Sequence, residues 1–132
     1  MTVKNNPFNI ESSNIKWKGL VDVHDGLCEF SDIKYSVRAM AHILMWTYRK
    51  TGTFTYSDIV DRKSHIHYNN QEHPYLTFLC KTLQVKPDDQ PKNVYQFARL
   101  LVRMAYYESS FVLDLKYAIF LINHFKIKIY EN

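Results

Sequence analysis

The sequence predicts an α+β domain: a mostly helical body with a small antiparallel sheet near its N-terminus. Three observations predict it. From residue 33 onward, apolar residues recur at three- and four-residue steps, the period of helices with one buried face. Before residue 31 they come instead in short alternating pieces divided by turn residues. Glycine is scarce, at 3 in 132 residues, while Tyr (10) and Phe (8) are abundant, so rings supply much of the packing surface. The hydrophobic share of 46% and the charged share of 23% are ordinary for a globular chain, and the length suits one core. Residues 1–132 therefore read as a single domain, without repeats, linkers or low-complexity segments.

The elements follow in order. Residues 1–7 are polar and read as loose. Between Asn9 and Phe30, the pieces NIE, IKWKGLV and LCEF alternate, and Asp25-Gly26 marks a hairpin turn. Trp17 and Phe30 are the expected anchors of this sheet. Ser31 or Asp32 can cap a helix over 33–50, with Ile33, Val37, Met40, Ala41, Leu44 and Tyr48 on one stripe. Ile43, Met45 and Trp46 widen that stripe, which predicts a central helix, and Thr51-Gly52-Thr53 ends it. Thr55 with Asp58 resembles a capping box opening a short helix to about Arg62. KSHIHYNNQEH reads as a loop. Pro74 suits the first turn of a helix carrying Tyr75, Phe78, Leu79 and Leu83 on one side, and VKPDDQP breaks the chain again. The next helix lies within Asn93 to Phe111, and Asp114 caps a last one through about His124. The tail KIKIYEN is either frayed or a short strand.

Within the fourth helix, Val94, Phe97, Leu101, Met104 and Ala105 form the apolar face, and Glu108 continues the series. Burial and the negative end of the helix dipole both disfavour a charged carboxylate there. Two readings stand side by side: a general acid, or a glutamate at a fraying helix end turned to solvent. The acids Glu11, Asp22, Asp25 and Glu29 fall in the sheet region. Asp22 and Asp25 are the candidates for a second carboxylate, although Asp25 before Gly26 is also ordinary turn chemistry.

Charge and composition narrow the partners only partly. A net charge of +4 favours an anionic partner: cell-wall polymer, nucleic acid or a membrane surface. No run approaches the length of a transmembrane helix, so no membrane insertion is expected. MTVKNNPFN carries no apolar core of a secretory signal, so none is expected. Cys28 and Cys80 have no metal spacing and read as free thiols, with a disulfide between them left open. His65, His67 and His73 share a loop with Glu72, and such loose spacing reads as exposed histidines. No metal and no cofactor are expected.

At these residues a family resemblance enters. AYYESSF resembles the catalytic-glutamate motif of soluble lytic transglycosylases and goose-type lysozymes, in which a helix ends in Glu-Ser. NPFNI, followed by WKG, CEF and DIKYSVRAMAHIL, is similar to the NPxNI, WxG, FxxF and Arg-Ala helix of phage and bacterial lysozyme-like proteins. The order of the segments is reversed relative to ordinary glucosaminidases, as in a circular permutation. The resemblance implies a lysozyme-like fold and cleavage of peptidoglycan glycan strands, as muramidase or lytic transglycosylase, with Glu108 as the single general acid and base. It further implies that Ser109 supports the site and that Asn9 and Ile10 border the cleft. On its own, Asn9 also reads as a turn residue bonding its own backbone. Tyr35, Tyr106 and Tyr107 are candidates to stack on sugars, or simply to pack.

The chain also departs from that family. Many relatives carry Trp-Ala-Pro-Pro and Glu-Asn-x-Thr after the short helix, where this chain has DRKSHIHYNNQEHPY, with Tyr75 matching the aromatic that follows. One groove wall is thus expected to be rebuilt. Two other functions stay open: a virion or cell-wall-binding protein of lysozyme-like shape without catalysis, and a nucleic-acid-binding helical domain. For the latter, Phe54 to Leu83 holds two short helices, but Lys16, Arg38, Arg49, Arg62, Lys81, Arg103 and Lys126 form no stripe in the sequence, so nucleic acid is not the expected partner. Action at the cell wall would require delivery by a phage particle, a holin or a specialised secretion machine.

Overall fold

The computed structural model describes residues 3–64 and 73–129, with the side chains of 62–64 left aside. The elements are β1 (Leu20–His24), β2 (Leu27–Phe30), α1 (Ile33–Thr51), α2 (Tyr56–Ser64), α3 (Pro74–Leu83), α4 (Val94–Ser109) and α5 (Leu115–His124). The architecture is α+β: among the described residues there are five helices, 53% helical, with a two-stranded antiparallel sheet near the N-terminus.

The hairpin pairs Val23 with Cys28 and His24 with Leu27. Asp25 (φ 52°) and Gly26 (φ 79°) both take positive φ, as the tight turn between right-twisted strands requires. The sheet is shorter than the alternating pieces suggest. Residues 9–19 form no strand, and only Glu11 bridges to Leu27. Ser12, Ser13 and Asn14 are exposed, so that stretch has no apolar face to commit to a sheet. Conversely, the described part of the N-terminal segment is not loose. Val3, Phe8 and Ile10 are buried, and Asn6 is only 1% exposed.

The helix ends follow local chemistry. Asp32 caps α1 by accepting from the Lys34 amide at 2.9 Å, and Gly52 closes it at φ 77°. Thr55 and Asp58 exchange backbone–side-chain hydrogen bonds, each of 3.1 Å, which is a reciprocal capping box with Asp in the usual Glu place. Pro74 occupies the first turn of α3. Asn93 and Asp114 cap α4 and α5, accepting from the Gln96 and Tyr117 amides at 2.9 Å. The break before α4 has a further use: Pro87 and Asp89 carbonyls accept the first amides of α2, from Ser57 and Tyr56.

The core lies between α1, α4 and the elements packed on them. Val37, Met40, Ala41 and Leu44 of α1 are each 1% exposed, as a central helix demands. Helix α4 packs on α3 and α5, α5 on α1, and α1 on β2. Phe54 and Phe97 are fully buried, with ring centroids 6.0 Å apart. Trp17 and Phe30 are buried as expected, and Trp17 stacks on Trp46 at 5.4 Å. Beyond α5 the described tail, 125–129, turns and buries Ile127 without forming a strand. Cys28 and Cys80 are free thiols. Among the described residues no helix is long and apolar enough to cross a membrane.

Gly19 sits at φ +80°, and a Cβ there would lie 2.2 Å from Cδ2 of Tyr35. Gly19→Ala is therefore expected to cost about 1–3 kcal/mol, from strained backbone and a displaced ring together. Gly26→Asn, also at positive φ but with open space around it, is expected to cost less, because asparagine tolerates the left-handed region better than other side chains and meets no ring. Urea midpoints of the two variants check the contrast; equal midpoints would mean that Tyr35 does not seat against residue 19.

Candidate functional site

Glu108 is the penultimate residue of α4 and is half-buried. The helix ends one residue later because Ser110 turns left-handed, at φ 58°, and its amide bonds back to the Tyr106 carbonyl at 2.7 Å. The last turn exposes carbonyls that the helix cannot satisfy. The N-terminal segment supplies the donor. Asn9 Nδ2 donates to the Glu108 carbonyl at 3.0 Å and to its carboxyl Oε1 at 3.3 Å. Ser109 Oγ lies 2.8 Å from the Pro7 carbonyl and 3.1 Å from that of Ala105, sharing its proton between the two.

Asn9 is thus more than a turn residue closing on its own backbone. Its left-handed conformation, φ 52°, belongs to a turn whose side-chain amide bonds to the end of α4. The turn is itself held by Asn6. That side chain donates to the Ile10 carbonyl at 3.0 Å and the Cys28 carbonyl at 2.8 Å, and accepts the Ile10 amide at 2.9 Å. In effect Asn6 replaces a stretch of backbone pairing and fixes residues 6–10 against β2. It is absent from the residues singled out in the sequence, although an asparagine before a proline is a turn signal.

Helix α3 contributes the other side. Tyr75 is buried and its ring stacks on Tyr107 with centroids 4.1 Å apart. Burial pushes the Tyr75 hydroxyl well above the ordinary tyrosine range, and the negative charge of Glu108 acts in the same direction. The hydroxyl neighbours that carboxyl without meeting the geometry of an aligned hydrogen bond. A tyrosine held neutral keeps a proton to donate. Tyr107 is 41% exposed and Tyr106 47%, and Phe78 packs against both rings.

The remaining candidates fall in other places. Ile10 is buried and lines a cavity of about 370 Å³ with Trp17, Met40, Leu44, Trp46 and Ile59. A second cavity, about 330 Å³, borders Pro7, Ser109 and Phe111. Glu108 is not among the residues lining either one. Tyr35 packs against Gly19 and, at 6.2 Å, against Phe125. Asp25 serves the hairpin turn. Asp22 stays on its own hairpin: Oδ1 accepts the Val23 amide at 2.8 Å, and Oδ2 lies 3.5 Å from His24 Nε2. His24 Nε2 is also 2.6 Å from Glu29 Oε1.

Asp22, His24 and Glu29 each bring one potential ligand atom within 4.8 Å of the others. The contacts among them account for that grouping without an ion. His73, from the histidine-rich loop, is instead the N-cap of α3, its Nδ1 accepting the Tyr75 amide at 3.2 Å. His65, His67 and Glu72 lie outside the described residues.

Three of the basic residues that look dispersed in the sequence, Lys16, Arg38 and Arg49, line one groove with Lys18 and His42 beside Trp46, whereas Lys81 borders a separate pocket. Residues 16–18 and 38–49 are separate runs in the chain, and the stacking of Trp17 on Trp46 joins them. No protein-family model matches this sequence, and no curated protein matches it.

Two measurements follow. Asn6→Ala would strand the Ile10 amide and the Cys28 carbonyl, the Ile10 carbonyl keeping the Cys28 amide at 3.0 Å, and is expected to lower stability by about 1–3 kcal/mol in urea denaturation; a loss no larger than that of Ser13→Ala would show the turn to be held by something else. For His24, the hydrogen bond to Glu29 raises the pKa above 6.5 against the opposing effect of desolvation, and the charge of Asp22 adds to the rise. Its folded value exceeds the unfolded one, so the stabilisation is full below about 6.5 and is lost as pH rises through the raised value. An NMR titration of the His24 ring should give a midpoint above 6.5 that falls in Glu29→Gln.

Proposed function

We propose that this chain cleaves peptidoglycan glycan strands, as a muramidase or lytic transglycosylase, with Glu108 as general acid and base. The observation that carries the reading is the pair of hydrogen bonds from Asn9 to Glu108. They join the two segments, NPFNI and AYYESSF, that resemble the lysozyme-like proteins. The Ser109 contact with Pro7 supports the same junction.

In this reading Glu108 gives a proton to the glycosidic oxygen while the bond from that oxygen to the sugar C1 breaks. The carboxylate left behind then takes a proton back. If water is the donor, its hydroxyl adds to C1 and the bond is hydrolysed. If the sugar's own 6-hydroxyl is the donor, its oxygen closes on C1 and an anhydro sugar results. The substrate's N-acetyl group can hold the cationic C1 between the steps. Asn9 fixes one carboxyl oxygen, and Tyr75 supplies a neutral hydroxyl beside the pair. Tyr106 and Tyr107 present half-open rings next to the acid for a sugar face.

A second reading is binding to the cell wall without cleavage, in a virion or wall-associated protein. It draws on the cavities near Ile10 and Ser109, whose linings do not include Glu108. Zymography on purified peptidoglycan separates the two. Wild-type protein should clear the wall, and Glu108→Gln should lose at least about a hundredfold in rate while keeping its circular dichroism. Clearing that persists in Glu108→Gln would end the assignment of the acid. Sedimentation of the protein with peptidoglycan, without released muropeptides, would favour the second reading.

A further inference from the structure

Away from Glu108, two adjoining depressions share Ile15, Trp17 and Trp46. One is the apolar cavity of about 370 Å³, walled by Met40, Ile43, Leu44 and Ile59, with Glu11, Ser12 and Ser13 on its polar side. The other is a groove of about 480 Å³ lined by Lys16, Lys18, Arg38, His42 and Arg49. The two tryptophans stack between them, 5.4 Å apart and 19° from parallel, and Trp46 keeps 42% of its surface exposed.

The arrangement is built rather than scattered. Arg38, His42, Trp46 and Arg49 are spaced by four, four and three residues along α1, so they line one face over about 16 Å. Lys16 and Lys18 flank Trp17 from the facing segment. Arg38 is braced over the Phe125 ring at 5.9 Å. His42 is pushed below the ordinary histidine range by burial and by Arg38 and Arg49, which is the mark of a crowded positive site.

A cationic track beside an aromatic, apolar slot matches a ligand with alternating phosphates and flat rings. We infer that this face binds single-stranded nucleic acid, with phosphates along Lys18, Arg38 and Arg49 and a base against Trp46. Stacking on an exposed ring beside a basic groove is sequence-tolerant and suits an unpaired strand. A duplex keeps its base faces covered and would offer the groove only charge. A polyphosphate offers charge without rings, and a mononucleotide offers one ring without a track. This inference does not rest on the role given to Glu108.

The test is tryptophan fluorescence of the whole chain titrated with four probes: a thymidine oligonucleotide of about twelve residues, a duplex of the same length, ATP, and inorganic polyphosphate of matched charge. The oligonucleotide should quench fluorescence and bind about tenfold or more tighter than the other three. Its log Kd should rise with log salt at a slope of about 2 or more, at roughly 0.7 per phosphate neutralised. Lys18→Gln and Trp46→Leu should each weaken it about fivefold or more, whereas Lys81→Gln, on α3, should change it less than twofold. Lys18 is exposed, so its variant keeps the test valid if Trp46→Leu fails to fold. Absence of quenching, equal affinity for any of the other probes, or equal losses in Lys18→Gln and Lys81→Gln would overturn the inference.

Discussion

The hydrogen bonds between residues 7–9 and the last turn of α4 are the constraint on which the rest of the site depends. They span 99 and 102 residues of chain. A helix C-terminus leaves carbonyls in need of donors, and a lone carboxyl there would otherwise sample many rotamers. Asn9 answers both needs with one amide, binding the Glu108 carbonyl and carboxyl together. That amide is in turn only as well placed as its own turn, which Asn6 holds against β2. The hairpin, the N-terminal turn and α4 therefore form one mechanical series, and Glu108 is its last member.

The second organising feature is the broad face of α1. One side of the helix is buried among Val37, Met40, Ala41 and Leu44, while Trp46 reaches out to meet Trp17. Because that stack carries residues 15–18 onto α1, charges from two distant runs become neighbours. Four Lys and Arg side chains thus share one face. The acid end of α4 is set apart from it in chemistry, being bordered by neutral groups: an amide, a phenol and two tyrosine rings.

How much of this could be read from the residues depends on the range of each interaction. Helix ends were legible because caps are local: Asp32, Gly52, the Thr55–Asp58 pair, Pro74 and Asp114 each act within a few residues of themselves. The direction of Glu108 was legible for the same reason, since helical spacing sets it, although the side chain is half-buried rather than enclosed. The N-terminal segment was not. Its order comes from contacts with β2 across 18 to 26 residues, those of Lys4, Asn5, Asn6 and Ile10 with Cys28 and Phe30, and no local pattern records them. Tyr75 beside Glu108 and Lys18 beside Arg38 are likewise products of packing between elements. A side chain that substitutes for a strand leaves no alternation behind, which is why residues 1–7 read as loose.

The span of the Asn9 contact also bears on how the molecule is born. During synthesis, residues 6–10 leave the ribosome 99 residues ahead of the glutamate they will grip. Local hairpin and helix contacts can form in the meantime, whereas closing so long a loop must wait and is slow for entropic reasons. The junction can close only once α4 is made, so a nascent chain halted before α4 would rest its hairpin on α1 while residues 7–9 have no helix end to bind.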